Sequence, residues 1–293
     1  MEHPSFSVRL AATAAAIALS TTLLTACSSD SAGSGKVRIG ISGASSDWDV
    51  LKQKAKAEGI EIELVTFDDY ALPNKALAAG DIELNAFQHL AFLSQFNANN
   101  STNIVPIGAT SVSPLGLYSL KHKAVDQIPD GAKIAVPNDP SNQGRALRVL
   151  EQAKLIELRA DTGLYGTPES ISANPKHLSI VPVDAQQTPR SLQDTAAAVI
   201  NSGVAGQAGY EVKQAIFRDD PKNPGTRPYV NVIAARATDR DNPIYLKIAE
   251  LYHSPEVQAA AAEESKGASV PSDLDRPALQ AELDRLAKQV RSR

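Results

Sequence analysis

The chain has 293 residues, of which 43% are hydrophobic and 21% charged, and this globular composition excludes wholesale disorder. Lys and Arg total 29 and Asp and Glu total 33, so the net charge of −4 argues against binding to a nucleic-acid backbone. Aromatic residues make up only 5%, which argues against an aromatic-rich platform for carbohydrates or nucleic acids. The single cysteine excludes an intrachain disulfide and a cysteine-based zinc site.

The N-terminus predicts export and lipid anchoring. Arg9 precedes an apolar run over 10–24, which has the length of the hydrophobic core of a signal peptide. The segment Leu24-Thr25-Ala26-Cys27 has the pattern of a bacterial lipobox, in which the thiol of Cys27 receives a diacylglycerol. We expect a lipoprotein signal peptide over 1–26 and a cell-envelope protein, anchored at the outer face of the plasma membrane or in the periplasm. The alternative is an ordinary secretory signal with a chance cysteine.

A Ser- and Gly-rich tether over 27–36 leads into alternating strands and helices. Alternating or β-branched apolar runs predict strands over 37–41, 60–67, 81–85, 104–107, 133–136, 178–183, 196–200 and 229–235. Helical patterns lie between them, over 47–58, 73–79, 89–97 and 142–154, and again beyond 243. Asp47 is the expected N-cap of the first helix. This alternation predicts an α/β fold.

Two extended passages, roughly 110–120 and 227–236, indicate a chain that crosses twice between two lobes. We expect lobe 1 to contain 37–112 plus 230–293 and lobe 2 to contain 113–229, with the C-terminal helices packed on lobe 1. The cleft of such a hinged, two-lobed fold is the expected ligand site.

The sequence offers little chemistry for catalysis. The histidines beyond the signal peptide are far apart and lack metal-ligand spacing: His89, His122, His177 and His253. The GxSxG motif is absent, and the expected folded part has no thiol nucleophile. We therefore expect no enzyme, no bound metal and no cofactor.

Two segments carry candidate binding groups. In the first, Asn138–Arg145, a strand leads into a helix whose N–H groups attract anions. Arg145, expected in the first helical turn, would grip a carboxylate with its two-nitrogen fork. An ordinary surface arginine is an equally good interpretation. The second segment, Asn85–His89, is expected at a strand-to-helix turn, where Phe87, Phe92 and His89 would form either a pocket wall or part of the core.

The collinear motifs of the chain resemble those of the methionine-binding lipoproteins of bacterial ABC importers, the MetQ/NlpA family. The resemblance covers nearly all of the expected mature chain. The matching stretches are 65–70 (VTFDDY), 72–74 (LPN), 80–82 (GDI), 85–89 (NAFQH), 136–145 (VPNDPSNQGR), 189–192 (PRSL), 199–201 (VIN) and 228–231 (PYVN).

The resemblance implies a two-lobed periplasmic-binding-protein fold that closes on methionine and delivers it to a membrane permease and its ATPase. It implies that Arg145 holds the amino acid, together with Asn142 at the helix start and Asn231 on the returning strand. It assigns contacts with the ligand side chain to Tyr70, Phe87 and His89, joined by Phe92. Asn201 is expected to approach the cleft from the second lobe.

The chain departs from its relatives at three places. Many relatives have Tyr at the position of Phe92, an aromatic residue at Ser113, and a Thr-Thr-Tyr run at Ser202–Val204. These differences leave the ligand open between methionine, D-methionine, another small apolar amino acid and a short methionine-containing peptide. A catalytic or purely structural envelope lipoprotein is the remaining alternative.

Overall fold

The computed structural model of the chain describes residues 36–291. The predicted signal peptide, Cys27 and the tether up to residue 35 lie outside these residues. Over 36–291, every helix is too short or too polar to cross a bilayer.

The described chain alternates strands and helices from its first residues. The first part contains β1 (Val37–Ile41), α1 (Ser46–Ala57), β2 (Ile62–Thr66), α2 (Leu72–Ala79), β3 (Leu84–His89), α3 (Leu90–Asn100), β4 (Ile104–Ala109) and β5 (Ser111–Val112). The middle part contains β6 (Leu115–Tyr118), β7 (Lys133–Pro137), α4 (Pro140–Gln152), β8 (Glu157–Leu158), β9 (Ile171–Ala173), β10 (Ser179–Val183), α5 (Thr188–Ser191), β11 (Ala197–Asn201), α6 (Ser202–Gln207) and β12 (Phe217–Arg218). The last part contains β13 (Asn231–Arg236), α7 (Pro243–Tyr252), α8 (Pro255–Glu264), β14 (Val270–Pro271) and α9 (Arg276–Arg291).

These elements form two five-stranded sheets with the same internal pattern. The strand orders are β2-β1-β3-β13-β4 and β10-β7-β11-β6-β12. In each sheet three parallel strands lie beside one antiparallel strand, which is β13 in the first sheet and β6 in the second. We name the elements around the first sheet the first lobe and those around the second sheet the second lobe. The predicted two-lobed α/β fold class is confirmed, and the predicted residue limits of the lobes stay a prediction.

Both faces of each sheet are buried, as the alternation along β13 shows. Ile233 packs with Ile39 and Leu51 on one face, while its neighbour Val232 packs with Leu93 on the other. The C-terminal helices pack on the first lobe, with α8 against α1 and α9 against α3 and β4. Burial on both faces fixes the sheets as rigid supports for the loops at their edges.

Several predicted element limits differ from the structure by a few residues, and two of the differences affect the site. Helix α1 starts at Ser46 with Ser45 at the N-cap, and Asp47 instead accepts a hydrogen bond from the buried hydroxyl of Tyr252 at 2.9 Å. The segment Asn85–His89 is the strand β3 itself rather than a turn. Its polar side chains are typical of a loop, but Asn85 and Gln88 are buried because their amides bond to each other at 2.9 Å and to Asn74.

Candidate ligand-binding site

A cavity of about 240 Å³ lies where the facing edges of the two sheets meet. Parallel strands β3 and β11 end at this edge with His89 and Asn201, and both residues line the cavity. The antiparallel strands β13 and β6 begin at the same edge with Asn231 and Leu115, which face His89 and Asn201 in register. The carboxyl ends of parallel strands are the usual ligand edge of open α/β sheets.

The structure brings together all the side chains that were predicted to bind a ligand. Each of them lines this one cavity: Tyr70, Phe87, His89, Phe92, Asn142, Arg145, Asn201 and Asn231. The cavity is smaller than the roughly 300 Å³ at which pockets for drug-sized molecules begin, so it suits a molecule of amino-acid size. That these residues contact a ligand stays a prediction.

Arg145 is a buried cation with one buried partner. Arg145 is 5% exposed and Asp219 7% exposed, and Nε of Arg145 donates to Oδ2 of Asp219 at 2.8 Å. The guanidinium also lies over the ring of Tyr229, with Cζ 4.3 Å from the ring centroid. A charge this buried is tolerated only when it is paired, so Asp219 makes the position of Arg145 possible.

Protein groups occupy most of the donors of Arg145, which number five in a guanidinium. Nη2 donates to Oδ1 of Asp219 at 3.3 Å and to the backbone oxygen of Ser113 at 2.8 Å. Oδ1 of Asp219 also accepts from the backbone nitrogen of Leu115 at 2.8 Å, which fixes this carboxylate. Within 36–291, Nη1 has no hydrogen-bond partner. The fork expected to bind a carboxylate is therefore occupied by Asp219, and Nη1 is the nitrogen left for an anion.

The start of α4 is also already occupied by a protein carboxylate. Asp139 is the N-cap, and its Oδ1 accepts from the backbone nitrogen of Asn142 at 3.0 Å. Burial raises the pKa of this carboxyl. Arg145 lies in the second turn, because the helix begins at Pro140. The predicted capture of a ligand anion by free N–H groups at the helix start is therefore corrected: Asp139 takes that place.

A chain of side-chain hydrogen bonds connects the two lobes across the cavity. Nδ1 of His89 accepts from the backbone nitrogen of Phe92 at 3.1 Å, which leaves the proton on Nε2. Nε2 lies 3.2 Å from Oδ1 of Asn142, which also accepts from Nδ2 of Asn201 at 2.7 Å. Burial, and then the nearby Arg145, lowers the pKa of His89 to about 3. His89 is therefore a neutral donor at physiological pH.

Asn201 contributes a buried acceptor that lacks a partner. Its Oδ1 is buried and makes no hydrogen bond to the described residues. Leaving such a group unpaired costs roughly 1–3 kcal/mol, so an N–H of a ligand would be stabilised there. Within 36–291 no carboxylate lines the cavity. An ammonium group in this site would therefore bind to neutral oxygens.

Three aromatic rings form one wall of the cavity. The ring centroids of Tyr70, Phe87 and Phe92 are 5.8–6.1 Å apart, in tilted and edge-to-face arrangements. Such spacing is typical of favourable aromatic packing. Burial raises the pKa of the Tyr70 hydroxyl well above its ordinary value, so Tyr70 is neutral as well. The wall is apolar and suits an unbranched apolar side chain.

Among the residues at the site that were not predicted from the sequence, three have large or charged side chains. Trp48 and Tyr252 line the cavity with their ring centroids 5.1 Å apart. Both lie on helices, where an aromatic residue is most simply interpreted as core. Asp219 begins the segment 219–228, whose three prolines and glycine indicate a loop. A lone carboxylate in such a segment gives no signal of its partner 74 residues away.

A second hollow, of about 840 Å³, adjoins the cavity. The two share short side chains, among them Ser113, Ser202 and Gly203. The cavity is therefore continuous with a groove that could hold a ligand longer than one amino acid.

The site has no features of a metal centre. Among the described residues, no group of three His, Cys, Asp or Glu side chains could hold a metal ion.

Two α/β lobes that enclose a cavity, lined by one paired arginine and neutral amides, define the class of periplasmic substrate-binding proteins. Within this class the chain belongs to the NlpA lipoprotein family, whose model matches residues 37–272.

Known relatives agree with this assignment. The D-methionine-binding lipoprotein MetQ of Salmonella typhimurium is 41% identical over 253 residues, which cover 84% of this chain and 92% of that protein. The structure of an ABC transporter periplasmic substrate-binding protein from Coxiella burnetii is 40% identical, with a TM-score of 0.76 and coverage of 80% and 100%. A nutrient binding protein from Burkholderia cenocepacia, bound to methionine, is 39% identical, with a TM-score of 0.77 and coverage of 80% and 99%. The predicted family is confirmed.

Proposed function

We propose that the protein is the membrane-anchored receptor of an ABC importer, and that it binds methionine and delivers it to a permease and its ATPase. The observation that carries this proposal is the buried Arg145, which lines an amino-acid-sized cavity and has Nη1 left for a carboxylate. The Salmonella relative is named for D-methionine and the Burkholderia structure holds methionine. Both support methionine as the ligand.

Each part of a methionine zwitterion finds a matching group in the cavity. Its carboxylate binds Nη1 of Arg145, and its ammonium group donates to Oδ1 of Asn201, the buried oxygen without a partner. Asn231 also lines the cavity, and its Nδ2 donates to the backbone oxygen of Ser111 at 3.1 Å. The thioether lies against the aromatic wall, where contacts between sulfur and rings contribute about 0.3–1.5 kcal/mol. Burial of the side chain contributes roughly 1.5–3 kcal/mol more.

Anchoring and delivery follow from the N-terminus and from the two lobes. Lipidation of Cys27 would hold the part of the chain that the structure describes, from Lys36 onward, at the outer face of the plasma membrane or in the periplasm. A ligand that touches both lobes binds the closed state better, and so it shifts the population toward closure. The permease then recognises the closed receptor. The Coxiella relative, described as part of an ABC transporter, supports this partnership.

A short methionine-containing peptide is the second candidate ligand, and the adjoining groove is the observation that favours it. Most residues that line both the cavity and the groove are small, among them Ser113, Ser202 and Gly203, and Tyr252 is the large one. The carboxyl-terminal methionine would occupy the cavity, and the rest of the peptide would extend into the groove. Binding without chemical change is proposed for either ligand.

Native mass spectrometry of protein purified without refolding tests the proposal, because tight receptors retain their ligand. We expect one bound molecule with the mass of methionine, released unchanged. Calorimetry with L-methionine, D-methionine and methionine dipeptides then ranks the candidates. A chemically altered ligand would indicate an enzyme. Failure of all these ligands to bind would contradict the proposal and favour a structural lipoprotein.

A further inference from the structure

The pairing of Arg145 with Asp219 leaves the residues that line the cavity without an unbalanced positive charge. Two more carboxylates lie behind the lining, Asp139 bonded to Asn142 and Asp47 bonded to Tyr252, and they add no positive charge that could balance an anion. The other side chains that line the cavity are hydroxyls, amides, apolar groups and the imidazole of His89. That imidazole is neutral, because burial holds its pKa at about 3. Within 36–291, the single ionised group in the lining is Arg145, and Asp219 balances its charge, with Oδ2 of Asp219 2.8 Å from Nε of Arg145.

Asp219 acts on the site without lining it. Its carboxylate holds Nε and Nη2 of Arg145 and is itself held by the backbone nitrogen of Leu115 at 2.8 Å. The backbone nitrogen of Asp219 donates in turn to the oxygen of Leu115 at 3.2 Å. Asp219 is thus fixed to the first residue of β6, and it both orients the guanidinium and cancels its charge.

This arrangement has a consequence for the charge of the ligand. A zwitterion brings equal positive and negative charge and leaves the buried site neutral. An anion of similar size, such as an N-acylated amino acid, adds a negative charge. Among the residues that the structure describes, the only cation in the lining is Arg145, and Asp219 already balances it. Burying an unbalanced charge is unfavourable. An unpaired arginine would instead attract anions.

We propose that Asp219 is a positioning residue that sets the charge selectivity of the cleft, because its pairing with Arg145 makes the site favour ligands of zero net charge over anions. The inference rests on the proposed function, since it assumes that an amino acid occupies the cavity. It adds a residue that the family resemblance did not single out, and it defines a chemical class of ligands that the site rejects.

Calorimetry with L-methionine and N-formylmethionine, on the wild type and on Asp219→Asn, tests the proposal. We expect the wild type to bind methionine at least tenfold more tightly than N-formylmethionine. In Asp219→Asn the ratio of the two affinities should fall at least tenfold, because the unbalanced Arg145 favours the anion. In Asp219→Glu, which keeps the charge, the ratio should stay close to that of the wild type even if both affinities fall.

Asp239→Asn is the matched control. Asp239 forms an ion pair with Arg236, in which Oδ2 of Asp239 lies 2.6 Å from Nε of Arg236, and neither residue lines the cavity. The variant therefore removes a paired carboxylate that is away from the site. Equal losses for both ligands in Asp219→Asn would show a purely structural role and overturn the inference. If Asp219→Asn does not fold, the affinities of the wild type for the two ligands decide. Tighter binding of N-formylmethionine than of methionine by the wild type refutes the inference. Failure of the wild type to bind methionine would instead refute the proposed function.

Discussion

Gln207 and Gly43 are in contact across the mouth of the cleft. Gln207 ends α6 in the second lobe, and its Nε2 donates to the backbone oxygen of Ser42 in the first lobe at 3.0 Å. The same side chain fills the space that a Cβ atom on Gly43 would need. Gly43 has φ of +85°, in the left-handed region that favours glycine. The lobes therefore meet at a glycine, and a methyl group added there would force the flexible end of the Gln207 side chain to move.

Gly43→Ala should weaken methionine binding, because the added methyl group displaces Gln207 and opposes closure. The displaced Gln207 loses its hydrogen bond to Ser42, a loss of about 0.5–1.5 kcal/mol, or roughly 2- to 13-fold in affinity. Gly59→Ala is the control: its φ is +77°, but no atom lies within 4 Å of the added Cβ. Both variants should lose similar stability on thermal denaturation, and calorimetry should show an affinity loss only for Gly43→Ala. Equal affinities in the two variants would argue against contact-dependent closure.

Arg145→Ala should lose both ligand affinity and stability. Removing one partner of a buried charge pair costs roughly 2–5 kcal/mol of binding, or about 30- to 5,000-fold in affinity. It also leaves Asp219 buried without its cation, which costs about 3–5 kcal/mol of folding free energy. The double variant Arg145→Met with Asp219→Asn should regain much of the stability but none of the affinity. Calorimetry and denaturant titration measure the two effects, and unchanged methionine affinity in Arg145→Ala would remove this residue from the site.

The protein should lose stability through His89 as the pH falls from about 6.5 toward 3. The folded pKa is about 3, whereas the unfolded chain binds this proton near 6.5. Below pH 6.5 the unfolded state therefore holds the extra proton, and stability falls by about 1.4 kcal/mol per pH unit. Above pH 6.5 this contribution is complete. Binding should not depend on the titration of His89 between pH 5 and 8.

Denaturant titrations at pH 7.5 and 4.5 measure this effect. His89→Gln should be less stable at pH 7.5 but should lose less stability on acidification than the wild type does. His253→Gln, at an exposed histidine, should keep the wild-type pH dependence. The same pH dependence in His89→Gln and the wild type would show that His89 does not carry the effect.

The aromatic wall should favour sulfur over a methylene group at the same position. Phe87→Leu should reduce the preference for methionine over norleucine by up to about tenfold, because contacts between sulfur and rings contribute about 0.3–1.5 kcal/mol. Phe96→Leu makes the same change in a residue that packs against the core of the first lobe. Competition calorimetry with the two amino acids should show an unchanged preference in that control. A preference that survives Phe87→Leu would place the thioether away from this ring.

Cys27 should determine the location of the protein in the cell envelope. Cys27→Ala removes the acceptor thiol, so we expect loss of lipid labelling and an uncleaved signal peptide. Radioactive palmitate labelling and electrophoretic mobility measure both. Ser28→Ala is a neighbouring control that should be processed like the wild type. Palmitate labelling of Cys27→Ala would refute the lipobox.

The sequence by itself determined the order of the longer strands and helices, the family and eight of the side chains that line the cavity. It could do so because strand and helix periodicities, glycines such as Gly80 at a helix end, and collinear motifs are local signals. Local patterns were misleading at Asn85–His89. Its amides favour a turn in water, whereas buried amides that bond to each other stabilise a strand.

Only the tertiary structure decided which of these side chains pair with each other. Asp219 reaches Arg145 across 74 residues and Asn201 reaches Asn142 across 59, and both pairs follow from the order and register of the strands. These contacts showed that the arginine fork is occupied and that the helix start is capped by Asp139. They also showed that Nη1 of Arg145 and Oδ1 of Asn201 have no hydrogen-bond partner within 36–291. Hydrogen bonds depend on distances of a few tenths of an ångström, which spacing along a chain does not encode.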